Sequence, residues 1–436
     1  MTINMFVSDA IGINNQGHLT FGGADTVEIA REFSTPAYVL DENSIRENLR
    51  EMQKALNENY ENGGLVLFAS KALSFMEMYR ICKSENVGVD VVSGGEIYTA
   101  YKAGFDMEKV CFHGNNKTPD ELKMAIDLGV GRIAVDNFYE LNLLSEIALE
   151  KGKTVNILLR LKPGIDAHTH AFIQTGQVDS KYGFDIASGE ALSAVKKALE
   201  IKNINLKGIH CHIGSQIFET EPFKLAASVM MNFIKEIKNE FGFEVEELNL
   251  GGGFAAKYLE SDNPPGASEY IAEAAKTVNE EAEKLGIKVP FIMIEPGRST
   301  VATAGITLYT VGSIKDIPDV RCYVSVDGGM TDNPRYILYN SDYTVVCANK
   351  ADKARDFTAT IAGKCCESGD LIQEHTNIQK PEHGDILAVL TTGAYNYSMS
   401  SNYNRNCKPP IIMVKDGVAR LAVKRETYED LIRNDM

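Results

Sequence analysis

From residue 65 onward the chain alternates short apolar runs with longer amphipathic stretches. The runs are LVLFAS (65–70), VGVDVV (87–92), KVCFH (109–113), RIAVD (132–136), VNILLRL (155–161), LKGIHCH (206–212), ELNL (247–250) and FIMI (291–294). Most are rich in Val, Ile or Leu and lack a polar alternate face, which marks strands buried on both sides, as in a parallel sheet. Helices fill the gaps. Thr118-Pro119-Asp120-Glu121 is a capping box with proline at the first helical position, followed by Leu122, Ala125 and Ile126 on one face. Ile45, Leu49, Met52 and Leu56 form a similar stripe ahead of the first run. The eight runs begin about 32 residues apart, the spacing of a (β/α)8 barrel of roughly 250 residues. A doubly wound open sheet is the competing architecture, and the count of eight favours the barrel.

Near residue 305 the pattern changes. ITLYTVGSI, VRCYVSVD, YTVVCA, FTATIAG, DILAVL, IIMV and VARLAV follow as strand-like segments, with Asp416-Gly417 as a hairpin turn. The reading is α/β: a TIM barrel over 42–304, and an all-β domain of sandwich or barrel type over 305–436. The segment 1–41, with its strand PAYVL, joins the β domain.

Composition narrows the function. The chain has 436 residues with 44 Lys+Arg against 60 Asp+Glu, a formal net charge of −16. That balance opposes a nucleic-acid footprint and docking on an anionic membrane. No apolar run reaches the roughly 18 residues needed to span a bilayer, and the N-terminus lacks a signal-peptide core. Eight cysteines with no CxxC pair suit free thiols in a reducing cytoplasm.

In a barrel, chemistry collects at the C-terminal strand ends. There the chain places Lys71, Ser93-Gly94-Gly95-Glu96, His113, Arg160, His212 with Ser215, Gly251-Gly252-Gly253, and Glu295-Pro296-Gly297-Arg298. Three glycines after the seventh strand suit a phosphate cradle, or simply a tight turn. A lysine at the mouth can be desolvated enough to form a Schiff base, or can remain a solvated strand end. Lysine, phosphate grip and the acid Glu295 at one mouth are together what a pyridoxal phosphate site requires. His210 and His212 share a strand face, but no surrounding ligand cluster supports a metal, and none is expected. His168 and His170 are read as part of a surface loop or lid. In the β domain, Cys365-Cys366-Glu367 offers a thiol beside an acid, and Arg335 can grip a carboxylate in a two-pronged bond.

Together these motifs resemble the barrel-type pyridoxal phosphate-dependent amino-acid decarboxylases. The resemblance runs from GHLTFGGADTVEIAREFSTPAYVL through FASKA, VVSGGE, FHGNNKT, HCHIGSQ, NLGGGF, EPGR, DGGM and CCESGD to GAYNYSMSSNYN. It implies that Lys71 forms the covalent link to pyridoxal 5'-phosphate, that His212 packs on its ring and that Glu295 pairs with its ring nitrogen. Ser215, Gly251, Gly252, Gly253, Gly297 and Tyr395 would hold the phosphate or its surroundings. It further implies a homodimer with shared active sites, in which Cys366 and Glu367 reach into the partner's barrel and Cys366 or Lys71 returns a proton. Within the family, CCESGD and SMSSNYN are similar to the branch acting on meso-2,6-diaminopimelate. That substrate's distal carboxylate would meet Arg298, Arg335, Tyr339 and Tyr395, and its distal amine Glu367. A sibling enzyme for ornithine, arginine or a carboxylated polyamine is the alternative, and a catalytically silent binder is a more distant one.

Overall fold

The computed structural model describes residues 7–165 and 180–436; His168 and His170 lie outside them. The chain divides into two compact units. One comprises residues 48–255 and 264–299, the other residues 1–47, 256–263 and 300–436.

The first unit is the barrel. Its strands are β1 (Gly64–Ala69), β2 (Gly88–Val91), β3 (Val110–Phe112), β4 (Arg132–Val135), β5 (Val155–Lys162), β6 (Ile204–Cys211), β7 (Glu247–Asn249) and β8 (Phe291–Ile294). Each pairs in parallel with the next, and β8 closes on β1 through Ile292 to Gly64 and Ile294 to Val66. All eight apolar runs are therefore strands of one closed sheet. The Thr118 capping box is present in full: its side chain accepts from Glu121 N–H, and Glu121 reaches back. It starts the helix Pro119–Leu128, which ends on Gly129 in the left-handed conformation.

The barrel interior is layered. At its floor Arg132 grips Glu247 with two bonds of 2.6 and 2.5 Å, from β4 across to β7. Gly208 lets β6 approach there, since a Cβ would lie 1.8 Å from the Glu247 carbonyl oxygen. Above the floor Leu67, Cys111, Ala134, Leu158 and Met293 form an apolar plug. That plug makes the barrel a filled core rather than a pore. Above it the inward positions turn polar.

The second unit centres on the long strand Gly305–Ile317, which pairs with Ala37–Asp41, Ile386–Val389 and Arg321–Val326. PAYVL is thus a strand of this sheet, between Gly305–Ile317 and Ile411–Lys415. The Asp416-Gly417 turn closes the hairpin to Val418–Val423 with both φ angles positive, 51° and 78°. The strand Leu371–Ile378, LIQEHTNI, was not foreseen: its Gln, Glu, His and Thr hide the alternation. Leu19, Phe21, Val39, Ile306, Leu308, Val346, Ile412 and Val414 form the core of this unit.

Candidate active site

The polar layer at the barrel mouth follows from strand parity. Because side chains alternate, the residue two places after a plug residue faces inward again. Cys111 is followed by His113, Ala134 by Asp136, Leu158 by Arg160 and Met293 by Glu295. Asp90, His210 and Asn249 join them from β2, β6 and β7.

Glu295 is the hub of this layer. Its side chain is 4 % exposed. Asn249 Nδ2 donates to Oε1 at 2.7 Å, and His210 Nε2 lies 3.1 Å from Oε2. His113 Nε2 lies 2.7 Å from Oε1, off the axis of an aligned hydrogen bond. Burial works to raise the Glu295 carboxyl, but the charge of His113 and the hydrogen bond with His210 outweigh it and hold it well below the carboxylate range. His210 is pushed down to about 3 by burial, against the pull of Glu295, so it is neutral. Burial also lowers His113, but Cys111, Glu295 and Asp90 reverse this and lift it well above the ordinary histidine range.

Lys71 stands at the end of β1 with Nζ 3.6 Å from Asp90 Oδ2 and a side chain 40 % exposed. Asp90 is buried, and neither of its oxygens has a hydrogen-bond partner among the described residues. Burial raises its carboxyl; His113 and Lys71 pull the other way. Nearby, burial lifts the Glu96 carboxyl to about 7 although Oε2 accepts the Val92 N–H.

The glycine run answers to crowding. A Cβ on Gly251 would lie 2.5 Å from the Cys211 oxygen, on Gly252 2.0 Å from the Glu295 oxygen, and on Gly253 2.6 Å from the Gly214 oxygen. Gly251 and Gly253 also have φ of 68° and 119°. The run therefore lets the ends of β6, β7 and β8 converge. Gly251 N–H donates to Asn249 Oδ1 and Gly252 N–H to His212 Nδ1, so two of the three amides are engaged within the protein. Accepting at Nδ1 leaves the His212 proton on Nε2, and burial, helped by Lys71 and Arg160, holds its pKa well below the usual range. Gly297 closes the same rim, with a Cβ position 3.0 Å from Ala69 Cβ. Arg298 is buried and directs Nε and Nη2 onto the Ser215 hydroxyl at 3.3 and 3.0 Å.

The other candidates lie in the β unit. Arg335 begins the short helix Arg335–Tyr339 and is buried. Its guanidinium carbon lies 4.9 Å from the Tyr339 ring centre and 5.1 Å from that of Tyr395, and Nε has no hydrogen-bond partner among the described residues. Three expected substrate contacts are thus one cluster. Tyr395 is held at a φ of 72°. Cys366 and Glu367 are exposed on a loop pinned by Asp370, whose carboxylate accepts the N–H of Cys365 and of Met330.

The donor set at the mouth fits pyridoxal phosphate. It offers an amine at the opening, a cradle where no side chain can stand, and a buried ionised acid at the far side. Cys111, His113 and Glu295 also lie within 4.8 Å of one another, a geometry a metal could use.

Asp90, His113, His210 and Asn249 received no role from the sequence. Their signal was parity: each is a polar side chain at an inward position near the end of an apolar strand.

The fold and mouth define a barrel-type enzyme with a lysine and a buried acid at one mouth, and residues 42–302 match the pyridoxal binding domain of the pyridoxal-dependent decarboxylases. The chain belongs to that family, and its cofactor is pyridoxal phosphate. It is 48 % identical to a diaminopimelate decarboxylase of Halalkalibacterium halodurans over 99 % of this chain and 98 % of that one. It is 47 % identical to that of Bacillus subtilis with the same coverage. A diaminopimelate decarboxylase from M. jannaschii, solved with L-lysine, superposes with a TM-score of 0.90 at 35 % identity, covering 98 % of each chain. No helix among the described residues is long and apolar enough to cross a membrane.

Proposed function

We propose that this protein removes CO2 from meso-2,6-diaminopimelate to give L-lysine, the last step of lysine biosynthesis. Full-length identity of 47–48 % to diaminopimelate decarboxylases is the observation that carries this reading. The Arg335–Tyr339–Tyr395 cluster supports it, because a buried guanidinium between two tyrosines suits a substrate with a second carboxylate.

Lys71 would hold the cofactor covalently. Gly253, Gly297 and Ser215 would bound its phosphate, His212 would present its flat imidazole to the ring, and Glu295 would face the ring nitrogen. When bound, pyridoxal phosphate supplies an electron sink for the pair left behind by CO2. Arg298 and Arg335 orient the distal carboxylate, and Glu367 takes the distal ammonium. Orientation of this kind can contribute roughly 7 kcal/mol or more at best. Cys366 Sγ, or Lys71 Nζ, returns a proton to the α-carbon. The working form is a homodimer in which Cys366 and Glu367 serve the partner's barrel; their exposure on the pinned loop supports this. The eight free thiols support a cytoplasmic setting, and the net charge of −16 supports the absence of a nucleic-acid partner.

The test is CO2 release with added pyridoxal phosphate from meso-diaminopimelate, ornithine, arginine and lysine in parallel. Release from diaminopimelate alone, with lysine appearing, is expected. Release from ornithine or arginine instead would move the protein to a sibling activity.

A further inference from the structure

The mouth of the barrel holds a continuous line of charged and titratable groups, two of which, Asp90 and His113, have no role above. It runs from Lys71 Nζ to Asp90 Oδ2 at 3.6 Å, from Asp90 Oδ1 to His113 Nε2 at 4.0 Å, and from His113 Nε2 to Glu295 Oε1 at 2.7 Å. Within this line His113 is the member at ion-pair distance from both carboxylates. We propose that His113 is a positioning residue that bridges Asp90 and Glu295, holding the Glu295 carboxylate ionised and in place for the ring nitrogen, and tying that end of the site to the Lys71 end.

The geometry argues for a cation at this point. Asp90 and Glu295 are both buried, and two buried carboxylates near one another cannot both stay ionised without a positive partner. His210 does not supply the charge, because burial keeps it neutral. Lys71 lies on the far side of Asp90 and is the group assigned to the cofactor. Arg160, from β5, also acts on Asp90, but its ion pair is with Asp136, Nε to Oδ1 at 3.9 Å, and the groups that lower Glu295 are His113 and His210. For Glu295 that leaves the His113 imidazole, 4 % exposed, with its backbone N–H anchored on Val91 O at 2.8 Å. The groups facing it are Asp90 from β2, Cys111 from its own strand, Asp136 from β4, His210 from β6 with ring centres 4.6 Å apart, and Glu295 from β8. Three are acids, one is a thiol and one is a neutral ring, so the surroundings favour the imidazolium.

The inference rests on the assignment of Glu295 to the ring nitrogen, and the experiment separates the two. The visible absorbance of the substrate-free holoenzyme is followed against pH for wild type, His113→Asn, Glu295→Gln and the double variant. In His113→Asn the buried Glu295 loses its cation and takes up a proton within the neutral range, roughly pH 6–8, so a new titration appears in the cofactor band. kcat falls about 10- to 100-fold with KM little changed. In the Glu295→Gln background His113→Asn adds no spectral change. A wild-type pH profile in His113→Asn overturns the proposal, as does a shift that persists in the double variant. A Glu295→Gln protein with normal turnover and spectrum instead overturns the assignment of Glu295. Should His113→Asn fail to fold, a neutron structure of the wild-type holoenzyme reads the same point. Deuterium on both His113 ring nitrogens supports the bridge, and deuterium on one alone overturns it.

Discussion

Lys71 follows β1 and Lys117 follows β3 at the same end of the barrel, and each faces a buried carboxylate. Their surroundings differ. Lys117 is 1 % exposed and donates to Gly114 O at 2.8 Å, Ala134 O at 2.7 Å and Glu140 Oε1 at 2.7 Å, so all three of its protons have acceptors. Glu140 closes the set by accepting the Asp136 N–H at Oε2. Lys71 is 40 % exposed, sits at ion-pair rather than hydrogen-bond distance from Asp90, and faces oxygens that have no hydrogen-bond partner among the described residues. A buried lysine with a full complement of acceptors ties the β3 loop to β4 and has no capacity left for chemistry. A lysine left 40 % exposed at ion-pair distance from a buried acid stays open to a reagent at the mouth.

The largest effect expected from this contrast is on turnover. Lys71→Ala should remove borohydride-fixable cofactor and cut CO2 release by about 10⁴-fold, roughly 5 kcal/mol of barrier. Its thermal midpoint should stay near wild type, because Asp90 keeps His113 beside it and burial already favours its protonated form. An unchanged reduced-imine adduct would break the assignment of Lys71. Lys117→Met should do the reverse. It strands Glu140 without a cation and should cost about 3–5 kcal/mol in urea unfolding. The protein that remains folded should still bind cofactor and turn over. A loss under about 1 kcal/mol would show that the Lys117 network is not what holds the loop.

The same contrast explains what the sequence disclosed. The eight apolar runs gave the barrel because parallel strands are buried on both faces and their composition shows it. PAYVL was placed in the β unit because it precedes the first barrel helix, and the Asp416-Gly417 turn because few residues tolerate two positive φ angles. Lys71, Glu295 and the glycines were visible as unusual residues at strand ends, and the family resemblance assigned them roles. Lys117 appeared within FHGNNKT with no mark of its burial, since satisfaction by carbonyls from β4 is a tertiary fact. His113 stands out as a strand-end residue and His210 as a partner of His212, but neither signals a role by itself, and Asn249 and Asp90 are masked by the apolar strands around them. Counting inward positions two by two would have placed them on one layer with Glu295. The engagement of the Gly251 and Gly252 amides by Asn249 and His212 was hidden for the same reason, as it depends on how three strand ends converge. LIQEHTNI escaped because its polar side chains break the alternation of a strand.

A third carboxylate, in the β unit, has the hydrogen-bond partners that Asp90 lacks among the described residues. Glu42 is as buried as Asp90 but fully partnered. Arg46 Nε donates to Oε1 at 2.9 Å, Lys415 Nζ to Oε1 at 3.2 Å and Arg420 Nη2 to Oε2 at 2.8 Å. Burial would raise its carboxyl, yet hydrogen bonds from Arg420, Arg46 and Lys415 hold it at about 2 against an ordinary 4.5. Because the folded value is the lower one, the stabilisation is present above pH 4.5 and is lost as pH falls towards 2. The full shift would correspond to roughly 3 kcal/mol. Lys415 and Arg420 are 47 % and 42 % exposed, so solvent screens their share, and about 1–2 kcal/mol is the expected net. Glu42→Gln should therefore lower unfolding free energy at pH 7 by about that amount and narrow the gap between wild type and variant as the pH drops below 4. The cofactor spectrum should not move. A gap that stays constant down to pH 3 would mean that Glu42 contributes by shape and hydrogen bonding rather than by charge. Full partnering would then mark a structural group whether or not it is ionised, and the contrast between Lys117 and Lys71 would rest on satisfied bonds alone.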